Sequence, residues 1–180
     1  GGLDLRRIRL MISMYPDLKW RIDFNEDGDV GELLEELSSW SEPEKAAIDF
    51  LEDPVPYFSN DWERLAKESG LTMGLDRNLE KASSDIEVQV IKPAVQKMKS
   101  GRRVVVTSYM DHPVGQAFAA WEAARAEVKE ICGLQTHRLF EGNVFIEALG
   151  DFSPEFKIPD GTGLGFDDLL EALPWTKLGS

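Results

Sequence analysis

Ala46-Ala47-Ile48-Asp49-Phe50-Leu51-Glu52-Asp53-Pro54-Val55-Pro56 reads as a buried strand that ends on a carboxylate and is stopped at once by an Asp-Pro-x-Pro breaker. Three other stretches also end on a charged residue. Trp20-Arg21-Ile22-Asp23 closes on an acid, Leu71-Thr72-Met73-Gly74-Leu75-Asp76 closes on another, and Val88-Gln89-Val90-Ile91-Lys92 closes on a lysine before Pro93. In a parallel sheet every strand C-terminus emerges on one side, where the sites of β/α proteins are built. Four successive strands of this kind would aim three carboxylates and one ammonium at a common point.

Outward from these stretches the pattern alternates. Leu5 to Met14 reads as helix up to Pro16, and Val30, Leu33, Leu34 and Leu37 have helical spacing up to Trp40. Trp62, Leu65 and Ala66 belong to a helix ending at Gly70, and Pro113 to Lys129 is rich in Ala and Glu. Strands are expected near 18–24, 46–51, 71–75, 86–91, 104–108 and 132–136, with little or no helix between the third and fourth. A linker with Met98 and Lys99 precedes the fifth. Strands and helices in this order make an α/β protein of βαβ units with a parallel sheet. Six strands suit an open doubly wound sheet, and also a barrel without its first two strands. Residues 1–150 are expected to form this β/α portion. Residues 151–180, rich in Gly, Pro and Asp with one short helix at 166–173, are expected to pack back on it.

The chain has 180 residues and a net charge of −13, which speaks against a nucleic-acid partner because a phosphate backbone needs a basic surface. A single bound cation would still admit an anionic substrate. No apolar run reaches membrane-spanning length, and the opening Gly1 to Arg7 has no apolar region after its charges, so neither a membrane segment nor a signal peptide is expected. Cys132 is the only cysteine, which fits a cytoplasmic setting.

Asp23, Glu52 and Asp76 form an all-oxygen set without Cys or His. Such a set suits a hard ion, Mg²⁺ or Mn²⁺, with room left for water or a small carboxylate substrate. Lys92 could remove a proton if its pKa were lowered, or remain charged and stabilise an anion. Asn25 is expected to orient a ligand or cap its turn, and Ser108, at the end of a strand, to bind a substrate carboxylate or its own backbone. Asp23-x-Asn25-x-Asp27-Gly28 imitates a calcium loop, but Leu34 stands where that loop needs a Glu. Asp27 and Asp29 read as caps of the next helix. His112 opens the long helix ahead of Pro113, and His137 reads as a turn or surface residue.

Taken in order, Ile22-Asp23-Phe24-Asn25, Phe50-Leu51-Glu52-Asp53-Pro54, Leu75-Asp76-Arg77-Asn78 and Ile91-Lys92-Pro93 resemble barrel strands three to six of the mandelate racemase/muconate-lactonising branch of the enolase superfamily. Val106 to Tyr109 resembles strand seven and Gly133 to Thr136 strand eight. The Ser108 region and Gly133-Leu134-Gln135-Thr136 look like the o-succinylbenzoate synthases. The resemblance implies a partial TIM-type (β/α) barrel, strands three to eight. It also implies Mg²⁺ held by Asp23, Glu52 and Asp76, with Lys92 facing the substrate. The implied reaction is a lyase step of menaquinone biosynthesis: an α-proton leaves a metal-bound carboxylate substrate, an enediolate forms, and hydroxide departs. A racemase or cycloisomerase of the same superfamily is the alternative. The resemblance also implies a proton-transferring Lys-x-Lys on barrel strand two and an N-terminal capping domain; no Lys-x-Lys precedes Leu18 here, so the chain is expected to self-associate or to need a complementary N-terminal segment. Arg77 stands where members of the superfamily often carry Glu.

Overall fold

The computed structural model describes residues 4–81, 86–98 and 103–176. Lys99 of the expected linker and the last residues of the 151–180 segment lie outside the described residues. Contacts divide the chain into two compact units, Gly1–Val90 and Ile91–Ser180.

The first unit runs α1 (Leu5–Met14), β1 (Trp20–Asp23), α2 (Val30–Ser38), α3 (Glu42–Ala46), β2 (Ile48–Glu52), α4 (Ser59–Ser69), β3 (Met73–Leu75) and β4 (Val88–Ile91), the last crossing into the second unit. Strands β1 to β4 pair in parallel in chain order. Phe50, Leu51, Leu75, Val88 and Val90 are fully buried, the mark of strands covered on both faces. α2 turns Leu33 and Leu37 inward, and α4 turns Trp62 and Leu65 inward, so each helix has one apolar stripe and a polar remainder. Asp29 caps α2, accepting from the N–H groups of Gly31 (2.8 Å) and Glu32 (3.0 Å), as its place in the sequence predicts.

Ala46 ends a helix and does not begin β2. The short α3 carries no apolar stripe, and its start is set instead by Glu44, whose Oε2 accepts from the backbone N–H of Ser41 at 2.7 Å. The Arg9 guanidinium donates to Glu44 Oε1 at 2.6 Å, ties α1 to α3, and with Ser41 holds the Glu44 carboxyl down to about 2. Between β3 and β4 the described residues carry only a 3₁₀ turn, Leu79–Lys81.

The second unit contains β5 (Arg103–Val106), α5 (Pro113–Arg125), α6 (Val144–Leu149) and α7 (Asp167–Glu171). The Thr107 N–H donates to the Ile91 carbonyl at 3.0 Å. The strand expected at 132–136 is reduced to one parallel bridge, Thr107 to Gly133. Beyond Gly133 a side chain takes the place of a ladder bond, Gln116 Oε1 accepting the Thr136 N–H at 3.1 Å, while the Gln135 side chain reaches out to accept the Ser153 N–H at 3.0 Å. Val106, Ala119, Ala123 and Leu134 form one apolar cluster, and Ala117, Phe145 and Phe166 another; Phe156 packs against both.

His112 caps α5, its Nδ1 accepting from the Val114 N–H at 3.3 Å. His137 is a correction to the sequence reading. It is buried, with Nε2 3.0 Å from the Gly150 carbonyl and the Phe152 ring edge-on at 5.1 Å. No helix among the described residues is long and apolar enough to cross a membrane.

Gly74 sets the spacing of β2 and β3. A Cβ there would lie 2.6 Å from Phe50 Cδ2, and the Phe50 ring is fully buried and has no free side to move toward. Gly74→Ala is therefore expected to destabilise the chain by about 1–3 kcal/mol, the range for overpacking a closed core. Urea denaturation measures it. Adding Phe50→Leu should recover part of the loss, and an unchanged midpoint in Gly74→Ala would show that the contact is slack.

Candidate metal centre

Parallel pairing brings the ends of β1, β2 and β3 to one edge. Asp23 stands opposite Glu52 in register, and Glu52 opposite Gly74, two residues before Asp76. Beyond Asp23 the chain keeps following the backbone that leaves β2. Phe24 N–H donates to the Glu52 carbonyl (2.9 Å), Glu26 N–H to that of Asp53 (2.8 Å) and Gly28 N–H to that of Pro54 (3.1 Å). This close approach requires glycine at 28, since a Cβ would lie 2.2 Å from the Pro54 oxygen. The backbone is strained at each of the three strand ends. Asn25 (φ 54°), Glu26 (φ 67°), Asp53 (φ 41°) and Asn78 (φ 56°) occupy the left-handed region without being glycine. Such positions cost about 1–3 kcal/mol each and gather at functional sites.

Side chains join the three ends. Asp23 is exposed, and both its oxygens face Asn25: Oδ1 accepts from the Asn25 N–H at 2.8 Å and Oδ2 from Nδ2 at 3.1 Å. Asn25 Oδ1 accepts from Arg77 Nη2 at 2.9 Å, and Arg77 Nη1 lies 3.6 Å from Glu26 Oε2. Asp76 is buried. Its N–H donates to Asp53 Oδ1 at 3.0 Å, and the Arg77 N–H donates to Asp53 Oδ2 at 3.2 Å.

Asp53 is the residue that sequence reasoning missed. Next to Pro54 it passes for a strand breaker, yet it is only 1% exposed and its carboxylate clasps the start of the turn after β3. Burial pushes its carboxyl up to about 6, against the pull of the two backbone donors, and the neighbouring charges of Asp76 and Asp23 push the same way.

Three carboxylates on adjacent strand ends have the donor chemistry of a hard divalent ion, and each Asp23 oxygen keeps a second lone pair beyond its bond to Asn25. As the side chains stand, no group of three His, Cys, Asp or Glu among the described residues is arranged to hold a metal ion. Asn25, expected to orient a ligand, has its amide engaged at both ends by Asp23 and Arg77.

In the second unit, Lys92 directly follows β4. Its N–H donates to Gln96 Oε1 at 2.8 Å, and its carbonyl accepts from the N–H groups of Val95 and Gln96. Ser108 is buried, with Oγ 2.9 Å from Thr136 Oγ1 and its N–H bonded to the Gly133 carbonyl at 3.0 Å.

No family model matches the sequence. An o-succinylbenzoate synthase from Bdellovibrio bacteriovorus is 33% identical over 198 residues, an alignment covering 98% of this chain and 59% of that protein. The chain thus spans less than two thirds of the curated relative it matches. Among solved structures, a mandelate racemase/muconate lactonizing protein from Herpetosiphon aurantiacus superposes with a TM-score of 0.59 at 20% identity, over 75% of this chain and 45% of that one. A mandelate racemase/muconate lactonizing enzyme from Bordetella bronchiseptica gives 0.57 at 17% identity, over 74% and 43%.

Asp53 makes stability depend on pH. Its folded pKa lies above that of an unfolded aspartate, so the native state binds the extra proton between about 4 and about 6. Its contribution is therefore greatest below pH 4 and is lost as pH rises through 6, a change of about 3 kcal/mol. Urea denaturation of the metal-free protein across that window should show the stability of wild type falling relative to Asp53→Asn by about this amount. Parallel pH profiles for the two proteins would contradict the assignment.

Proposed function

From a chain that carries part of the barrel fold of the enolase superfamily and is similar along nearly all its length to an o-succinylbenzoate synthase, we propose a Mg²⁺-dependent carbon–oxygen lyase function of o-succinylbenzoate synthase type, in menaquinone biosynthesis. The observation that carries it is the placement of Asp23 and Glu52 opposite one another in register, with Asp76 just beyond the residue opposite Glu52. In this reading the three carboxylates hold Mg²⁺, or Mn²⁺ in its place. The bound ion supplies Lewis-acid stabilisation for charge developing on a substrate carboxylate.

The chain's own residues do the rest. Asp53 holds the backbone of Asp76 and Arg77, so that the third acid is presented from a fixed turn. The acids repel one another, and a divalent cation among them offsets that repulsion. Lys92 holds or moves a proton at Nζ, or balances the negative charge that follows proton loss from the substrate. Ser108 provides a hydroxyl for a small carboxylate substrate, with Thr136 fixing its orientation. The 33% identity to a named synthase supports the lyase reading over a racemase or cycloisomerase, since the structural likenesses at 17–20% identity speak to the fold alone.

Formation of o-succinylbenzoate, followed by absorbance with and without Mg²⁺, tests the proposal. Turnover is expected to require the ion and to be abolished by Glu52→Gln, which keeps the shape of the side chain and removes its charge. Activity that survives either change would contradict the reading.

A further inference from the structure

We infer that Arg77 and Asn25 are positioning residues that hold the Asp23 carboxylate ready for a divalent cation; the inference rests on the metal site proposed above. The path is continuous within the first unit. Asp53, after β2, takes the Arg77 N–H at 3.2 Å. The Arg77 guanidinium, after β3, donates to Asn25 Oδ1 at 2.9 Å. Asn25, after β1, donates to both oxygens of Asp23 at 2.8 and 3.1 Å. One line of hydrogen bonds thus joins the three strand ends that carry the acids.

Each link has a physical task. Asp23 is exposed, and an exposed carboxylate on its own samples several rotamers. Two donors from one residue fix both oxygens and leave each with a lone pair directed elsewhere. Asn25 can approach with backbone and side chain together because it sits at φ 54°, a conformation that Asn tolerates better than most residues. Its amide has a donor end and an acceptor end, and reversal would turn Oδ1 toward the carboxylate and repel it. Arg77 only donates, so its bond to Oδ1 settles which end faces Asp23. Arg77 therefore acts on Asp23 through Asn25, without touching the ion.

The charge of Arg77 makes the proposal testable by sign. A guanidinium beside a cation site repels the cation. If Arg77 were only a nearby charge, its removal would tighten metal binding; if it positions Asp23, its removal weakens binding.

Mn²⁺ affinity of the folded protein, measured by calorimetry with melting temperature recorded alongside, decides between these. Arg77→Met and Asn25→Gly, the latter keeping the backbone conformation available, are each expected to weaken Mn²⁺ binding about tenfold or more, the usual effect of losing a partner of a metal ligand. Arg77→Lys, which keeps the charge and loses the fork, should fall between Arg77→Met and wild type. Tighter or unchanged binding in Arg77→Met, or weakening in only one of the two variants, would overturn the inference. If wild type binds no Mn²⁺, the metal reading itself fails, and hydrogen exchange of the metal-free protein judges the brace. Faster exchange of the Asn25 N–H in Arg77→Met then sustains it, and unchanged exchange overturns it.

Discussion

Carboxylates crowded at one edge of a parallel sheet are the constraint on which the first unit depends. Register alone puts Asp23 beside Glu52 and brings Asp76 to the same edge, and Asp53 adds a fourth acid, buried, among them. Such a group is unfavourable unless something offsets the repulsion. The structure offsets part of it locally: backbone N–H groups of Asp76 and Arg77 face Asp53, and the Asn25 amide faces Asp23. A divalent cation held by Asp23, Glu52 and Asp76, as proposed above, would lower the repulsion further, so the stability of this edge bears on its proposed chemistry.

The same edge concentrates backbone strain. Four non-glycine residues in the left-handed region follow three consecutive strands, whereas Gly74 and the buried run of β2 are unstrained and closely packed. Tight β/α layers supply a rigid base, and the conformations that a sequence optimised for stability alone would avoid lie where side chains must be aimed. The shortness of the strands helps, because each ends as soon as its acid has been delivered to the edge.

Much of this was legible in the sequence. The apolar run of each strand and the charged residue that closes it, Asp23, Glu52, Asp76 or Lys92, are local signals, and the parallel ladder of β1 to β4 agrees with them. What stayed hidden was non-local or too short. Asp53 looked like part of a breaker because only its burial distinguishes it. Arg77 stood out only as an Arg where the resemblance leads one to expect Glu; its role stayed hidden because its partner Asn25 is far away along the chain and meets it only in the folded unit. The short helices α3 and α6 carry too few turns for periodicity to register. His137 is buried by a turn at Gly150 and by Phe152, from a stretch whose composition suggested only loop. The last expected strand is cut short beyond Gly133, where the Thr136 N–H goes to the Gln116 side chain, and no alternation pattern could signal that.

On the reading proposed above, a single divalent ion is shared by three strand ends. Crystals grown with Mn²⁺ and examined by anomalous scattering test it most directly. One strong peak is expected within coordination distance of carboxylate oxygens from Asp23, Glu52 and Asp76. A peak that none of the three acids touches, or no peak at saturating Mn²⁺, would contradict it.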